Sequence, residues 1–126
     1  MIERIGKYEI LERIATGGQG TVYRALDPDF NRIVAIKLMT QPVTDDPEYL
    51  EALQREARLG ASLNHVNITT HYEFQVEDGS GFIAMEYVPD SLDKHINLNT
   101  PLDPDVCIET AYEIATALAY AHEHGV

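Results

Sequence analysis

Two runs of residues with a period of two are joined by a glycine-rich break, and this limits what the first part of the chain can become. From Tyr8 to Ala15, Tyr8, Ile10, Glu12 and Ile14 fall on one side and Glu9, Leu11 and Arg13 on the other, the spacing of a strand. Thr16-Gly17-Gly18-Gln19-Gly20 interrupts the pattern, and Thr21-Val22-Tyr23-Arg24-Ala25-Leu26 resumes it with β-favouring residues. A Walker loop ends in Gly-Lys-Ser/Thr and feeds a helix, and a dinucleotide fingerprint also feeds a helix. Here Gly20 is followed by Thr21 and Val22, so the loop feeds a strand. What remains is a strand–turn–strand hairpin. Its glycines are either surplus freedom in a turn or a cradle whose backbone N–H groups close on phosphate oxygens with no Cβ in the way.

The rest of the chain extends this start. Asp27-Pro28-Asp29-Phe30-Asn31 is turn chemistry, and Arg32 to Met39 is a third strand with Lys37 among apolar neighbours. Three strands with short turns make an antiparallel meander. The period then changes. Asp46-Pro47 starts a helix by capping, and Leu50, Leu53, Ala57 and Ala61 form its stripe to about Leu63. Thr69 to Val76 and Gly81 to Val88 are two further strands about the turn Glu77-Asp78-Gly79-Ser80. Pro89-Asp90-Ser91 precedes a short helix, Leu92 to Ile96. Asp103-Pro104 opens a last helix that ends near Gly125, where a C-terminal glycine belongs. The expected fold is α+β: a five-stranded antiparallel sheet with one inserted helix, followed by two helices. A boundary near residues 88 to 91 divides the chain into 1–88 and 89–126.

Length and composition agree with a folded domain. The chain has 126 residues, 44% of them hydrophobic and 24% charged, which excludes a disordered tail, a collagen-like repeat or a coiled coil. The net charge of −12 argues against nucleic acid and an acidic membrane surface as partners. No apolar run is long enough to cross a bilayer, and the start of the chain lacks the apolar core of a signal peptide. The lone cysteine, Cys107, allows no internal disulfide, so a cytoplasmic location is the expectation. Cys107 reads as a small buried hydrophobe on the last helix. His122-Glu123-His124 is too local for a metal site, because i and i+2 do not share a helical face. His65 and His71 read as loop or core histidines.

Taken in order, Thr16-Gly17-Gly18-Gln19-Gly20-Thr21-Val22-Tyr23, Val34-Ala35-Ile36-Lys37, Arg55-Glu56, His65-Val66-Asn67-Ile68 and Met85-Glu86-Tyr87-Val88 resemble the protein kinase family. With Gly6-Lys7-Tyr8-Glu9-Ile10 at the start, the sequence looks most like bacterial serine/threonine kinases of the eukaryotic type. The resemblance covers essentially the whole chain. It implies a nucleotide-binding lobe over 1–88 and the hinge and first helices of a second lobe over 89–126. It also implies ATP and Mg²⁺ as cofactors and a protein as substrate. An ammonium among apolar strand neighbours needs an anionic partner; the resemblance gives Lys37 the ATP phosphates and the carboxylate of Glu56. It places Ile14, Ala15, Thr16, Gly17, Gly18, Gln19, Gly20, Thr21 and Val22 over the nucleotide. Val22 and Ala35 would flank the adenine, and Met85 would guard the back of the pocket. The backbone of Glu86 and Val88 would bond the adenine edge, and Ser91 or Asp93 would reach the ribose or cap a helix.

Two departures stand out. The first glycine of the family's loop is Ala15, tolerable if its φ is negative and costly otherwise. Ala119-Tyr120-Ala121-His122-Glu123-His124-Gly125-Val126 resembles the helix end that leads into the catalytic loop, and neither His-Arg-Asp nor Asp-Phe-Gly occurs in these residues. Phosphoryl transfer relies on positioned metal ions and an oriented nucleophile. The expectation is therefore a truncated kinase domain, inactive alone. The alternative is a non-catalytic, pseudokinase-like module that binds nucleotide or a partner. The last helix is apolar or small over most of its circumference, from Val106 and Ile108 through Ala111, Ile114 and Leu118 to Ala121. Self-association through it is expected.

Overall fold

The computed structural model of the protein describes residues 2–97 and 99–126. Contacts divide the chain into two units, one holding Met1–Ser62 and Thr70–Tyr87 and the other Leu63–Thr69 and Val88–Val126.

The first unit is a single antiparallel sheet carrying one helix. Its strands are β1 (Arg4–Ile5), β2 (Tyr8–Thr16), β3 (Gly20–Asp27), β4 (Arg32–Pro42), β5 (His71–Glu77) and β6 (Ser80–Glu86), in spatial order β1-β2-β3-β4-β6-β5. The expected five strands are thus six. The added β1 has two residues, too few to show a period, and it folds back on β2 through Gly6 at a φ of +58°. The meander β2-β3-β4 is present. The turn between β5 and β6 is the Asp78-Gly79 pair, both at positive φ, as a two-residue hairpin requires. Asp27 is 2% exposed at the end of β3. It accepts the Asp29 amide at 3.0 Å and faces Lys7 at 3.9 Å and Arg32 at 3.7 Å, which fixes the turn into β4.

Helix α1 (Pro47–Ser62) begins as its sequence dictates: the Asp46 carboxylate accepts the Tyr49 amide at 3.0 Å, and Pro47 takes the first position. Its stripe buries Leu53 and Ala57, while Ala61 is exposed.

The sheet has an apolar layer on each face, because successive side chains point to opposite sides. One layer holds Ile5, Tyr8, Ala25, Val34, Ile36, Phe82 and Ala84, with the Tyr8 and Phe82 rings edge to face at 6.1 Å. Tyr8 also donates its hydroxyl to Glu73. The other layer packs Leu53 and Ala57 of α1 on Met39, Val43 and Ile83.

In the second unit, Leu92–Lys94 is one 3-10 turn, and α2 (Pro104–Glu123) is the long helix. Asp103 caps α2 by accepting the Asp105 amide at 2.9 Å. Gly125, at φ +84°, closes it: the Val126 amide reaches the Ala121 carbonyl and the Gly125 amide the His122 carbonyl. No described residue of α2 is buried, and Ile108 and Tyr112 are about 70% exposed. Cys107 is exposed with them, against the expectation of burial, because the contacts of α2 with Asn64, His65 and Asn67 are made further along, at Glu113, Thr116 and Tyr120.

Candidate functional site

Register decides which side chains meet on the α1 side of the sheet. Ala35, Lys37 and Met39 alternate onto one face of β4. Residues directly opposite in a ladder share a face, so Val22 of β3 joins them opposite Lys37. Ile83 and Met85 of β6 join opposite Lys37 and Ala35. His71 of β5, opposite Met85, extends the same face. Four of the residues singled out in the sequence, Val22, Ala35, Lys37 and Met85, therefore lie side by side. Ala35 is buried, and the other three are half-buried.

The glycine loop hangs over the far end of this face. Ile14, Ala15 and Thr16 end β2, with Ala15 opposite Val22 and Thr16 opposite Thr21. The Gly17 amide donates to the Gly20 carbonyl at 2.9 Å, closing the turn, and the Gln19 carbonyl accepts the Thr40 amide at 3.1 Å, tying the turn to β4. The three loop glycines differ in what they allow. A Cβ on Gly17 or Gly18 would meet nothing within 4 Å, whereas one on Gly20 would lie 2.2 Å from the Leu38 carbonyl oxygen. Gly20 is therefore required by the approach of β3 to β4, whereas Gly17 and Gly18 have open space where a Cβ would stand. Ala15 is unstrained: among the described non-glycine residues only Asn31 and Asp78 have positive φ.

A cleft of about 380 Å³ opens beneath the loop, bounded by Gly18 and Gln19, by Lys37, Met39 and Gln41 of β4, and by Tyr49, Leu53 and Glu56 of α1. It brings together the loop, the lysine and the helix glutamate singled out in the sequence. Lys37 and Glu56 line it without forming an ion pair. The Lys37 Nζ instead donates to Gln19 Oε1 at 3.4 Å. The only ion pair within α1 is Glu51 with Arg55, at 3.7 Å. Tyr49, Met39 and Gln41 had no distinguishing signal in the sequence, because their place in the cleft follows from how α1 lies on the sheet.

The remaining candidates sit elsewhere. The Glu86 amide donates to the Thr70 carbonyl at 2.8 Å, and its carboxylate accepts the Thr70 amide at 3.1 Å. Val88 and Ser91 belong to the second unit. There Ser91 occupies the cap position of the 3-10 turn without capping it, its hydroxyl bonded to Asp93 instead. The described residues contain no group of three or more His, Cys, Asp or Glu side chains able to hold a metal ion. No helix among them is long and apolar enough to cross a membrane.

Comparison with known proteins agrees with this arrangement. Residues 8–126 match the family model described as the protein kinase domain. The serine/threonine-protein kinase PrkC of Bacillus subtilis is 37% identical over 122 residues, covering 96% of this chain and 19% of the relative. The serine/threonine-protein kinase pkn3 of Myxococcus xanthus is 34% identical over 122 residues, covering 95% of this chain and 22% of the relative. The chain thus spans about a fifth of the length of these curated relatives. The crystal structure of the PknI kinase domain of Mycobacterium tuberculosis superposes on all of this chain and on 52% of its own, with a TM-score of 0.83 and 26% identity. A glycine loop over a strand lysine, a glutamate helix beside them and a match running from β2 to the end of α2 lead to one conclusion: the chain belongs to the protein kinase domain family and is similar within it to bacterial serine/threonine-protein kinases.

Proposed function

We propose that residues 1–88 are the nucleotide lobe of a serine/threonine protein kinase and that residues 89–126 carry the hinge and the first helices of its second lobe. The observation that carries this reading is the cleft in which the glycine loop, Lys37 and Glu56 converge. ATP supplies the γ-phosphoryl group that goes to a protein hydroxyl. The chain's own residues bind and orient. Lys37 holds phosphate oxygens and pairs with Glu56. The Ile14–Val22 segment covers the nucleotide, and no side chain crowds Gly17 or Gly18. Val22 and Ala35 flank the base, Met85 closes the pocket behind it, Glu86 and Val88 offer backbone groups to its edge, and Ser91 reaches the ribose. The donor set suits a nucleotide; among the described residues no group of three or more His, Cys, Asp or Glu side chains gathers that could hold Mg²⁺.

Under the same reading the 126-residue chain binds nucleotide without transferring phosphate, because it contains neither the catalytic Asp of His-Arg-Asp nor Asp-Phe-Gly. It also associates with itself through the exposed apolar side of α2. A reducing, cytoplasmic setting belongs to the proposal and is supported by Cys107 as an exposed free thiol.

The test is binding of a fluorescent ATP analogue, with unlabelled ATP as competitor, to the wild-type chain and to Lys37→Met. Loss of a charge-assisted contact to phosphate is expected to weaken binding by about tenfold or more. Equal affinity in the two proteins would place the nucleotide elsewhere and sink the site. Incorporation of labelled phosphate into a generic protein substrate by the 126 residues alone would refute the inactivity.

A further inference from the structure

Among the described residues one side-chain polar atom is shut away without a partner: Nδ1 of His71 is buried and makes no hydrogen bond. A buried imidazole nitrogen left unpaired is costly, so its surroundings merit an account. The ring lies against Gly60 of α1, so close that a Cβ there would fall 2.2 Å from Nδ1. Gly60 is one turn beyond Glu56, and residues four apart on a helix are neighbours on its surface. His71 therefore sits one helical turn from the carboxylate that lines the cleft, on the sheet face that also carries Lys37. Neither Lys37 nor Glu56 is committed to the other, since Lys37 bonds Gln19.

We propose that His71 is a positioning residue that competes with Lys37 for Glu56: neutral, its ring seats α1 through Gly60 and leaves Glu56 to Lys37; protonated, it takes the Glu56 carboxylate and holds α1 by that pair instead. The inference rests on the proposed pairing of Lys37 with Glu56 at the nucleotide site. The charged groups around the ring come from two elements, Glu56 from α1 and Lys37 from β4. The ladder partner on β6 is Met85, which is uncharged, and the next residue, Glu86, is bonded to Thr70. Burial holds the imidazole below its ordinary value, Glu56 pulls it up and Lys37 pushes it down. Acidification below neutrality thus sets the two cations against each other for one carboxylate.

The first experiment needs no nucleotide. Histidine titrations of the full chain are followed by NMR in the wild type, in Glu56→Gln and in Lys37→Met. Glu56 is exposed and Lys37 half-buried, so neither change should unfold the chain. The His71 midpoint is expected to fall in Glu56→Gln and rise in Lys37→Met, each by at least about threefold in proton affinity. A midpoint unmoved in both variants overturns the proposal. The second experiment measures affinity for the ATP analogue at pH 7.5 and pH 6. The wild type is expected to lose more affinity on acidification than His71→Leu, with titration of the nucleotide itself common to both. An equal loss in the two proteins overturns the proposal. Shifted His71 midpoints with no nucleotide bound at either pH would uphold the competition for Glu56 and refute the nucleotide site alone.

Discussion

Replacing Gly20 by alanine tests the structural basis of the site most directly. The new Cβ would meet the Leu38 carbonyl oxygen at 2.2 Å, the Leu38 carbonyl carbon at 3.0 Å and the Met39 Cα at 3.2 Å. All three atoms are backbone, so no rotamer change relieves the contact. An ordinary carbon contact begins near about 3.5 Å, so β3 and β4 must part locally by roughly 1 Å. Overpacking of this kind costs about 1–3 kcal/mol, and each ladder hydrogen bond lost adds about 1 kcal/mol. The sum is about 2–4 kcal/mol. For a cooperative unit of this size that corresponds to a fall in Tm of roughly 10–20 °C. Gly18→Ala is the matched control, because its Cβ meets nothing within 4 Å. It should change stability by no more than about 0.5 kcal/mol. Since Gly18 lines the cleft, it should instead weaken the ATP analogue. Thermal unfolding followed by circular dichroism gives both Tm values. If Gly20→Ala melts within about 2 °C of Gly18→Ala, the close approach of β3 to β4 is not what demands glycine there, and the steric account fails.

Three further outcomes are expected. Asp27→Ala removes a buried carboxylate that accepts the Asp29 amide and faces Lys7 and Arg32; urea unfolding should show a loss of about 2–3 kcal/mol, and a loss near zero would mean that the turn into β4 holds without it. The His71 imidazole is held below its ordinary value when folded, so the unfolded chain takes up the proton first as pH falls. Stability is therefore full above about pH 6.5 and declines as pH drops through that value. The urea midpoint should fall further between pH 7.5 and pH 5.5 in the wild type than in His71→Leu, and equal falls contradict the assignment. Light scattering at micromolar concentration should show an assembly larger than one chain, strengthened by salt that screens the net charge of −12 and dispersed by Ile108→Glu with Leu118→Glu; a monomer at high salt removes the proposed role of α2.

What the sequence disclosed depended on how local its cause was. The meander, the Asp46 and Asp103 caps, the Asp78-Gly79 turn and the glycine closing α2 each arise from a few adjacent residues, and each forms where those residues stand. β1 escaped notice because two residues have no period and its pairing with Tyr8 and Glu9 rests on Gly6. The exposure of Cys107 has a related cause. An apolar helix implies cover, but the pattern of the helix itself does not supply any, and Cys107 stays exposed.

The site divides along the same line. Ladder register is a property of the sheet, and once β3, β4 and β6 are paired, Val22, Ala35, Lys37 and Met85 must share a face. Where Glu56 points is a property of α1, which touches the sheet through Leu53 and Ala57 on Met39, Val43 and Ile83. Such apolar contacts are non-directional and leave rotation and translation of the helix weakly specified. Two proposed polar contacts would fix the remainder: the pair of Glu56 with Lys37, and that of Glu56 with a protonated His71, whose ring lies against Gly60. A glutamate beside a helical stripe and a histidine in a strand carry no mutual signal fifteen residues apart in sequence. Only the packing of α1 against β5 brings them within one turn of each other. The least legible part of the site is therefore the part on which the proposed proton and phosphate would act.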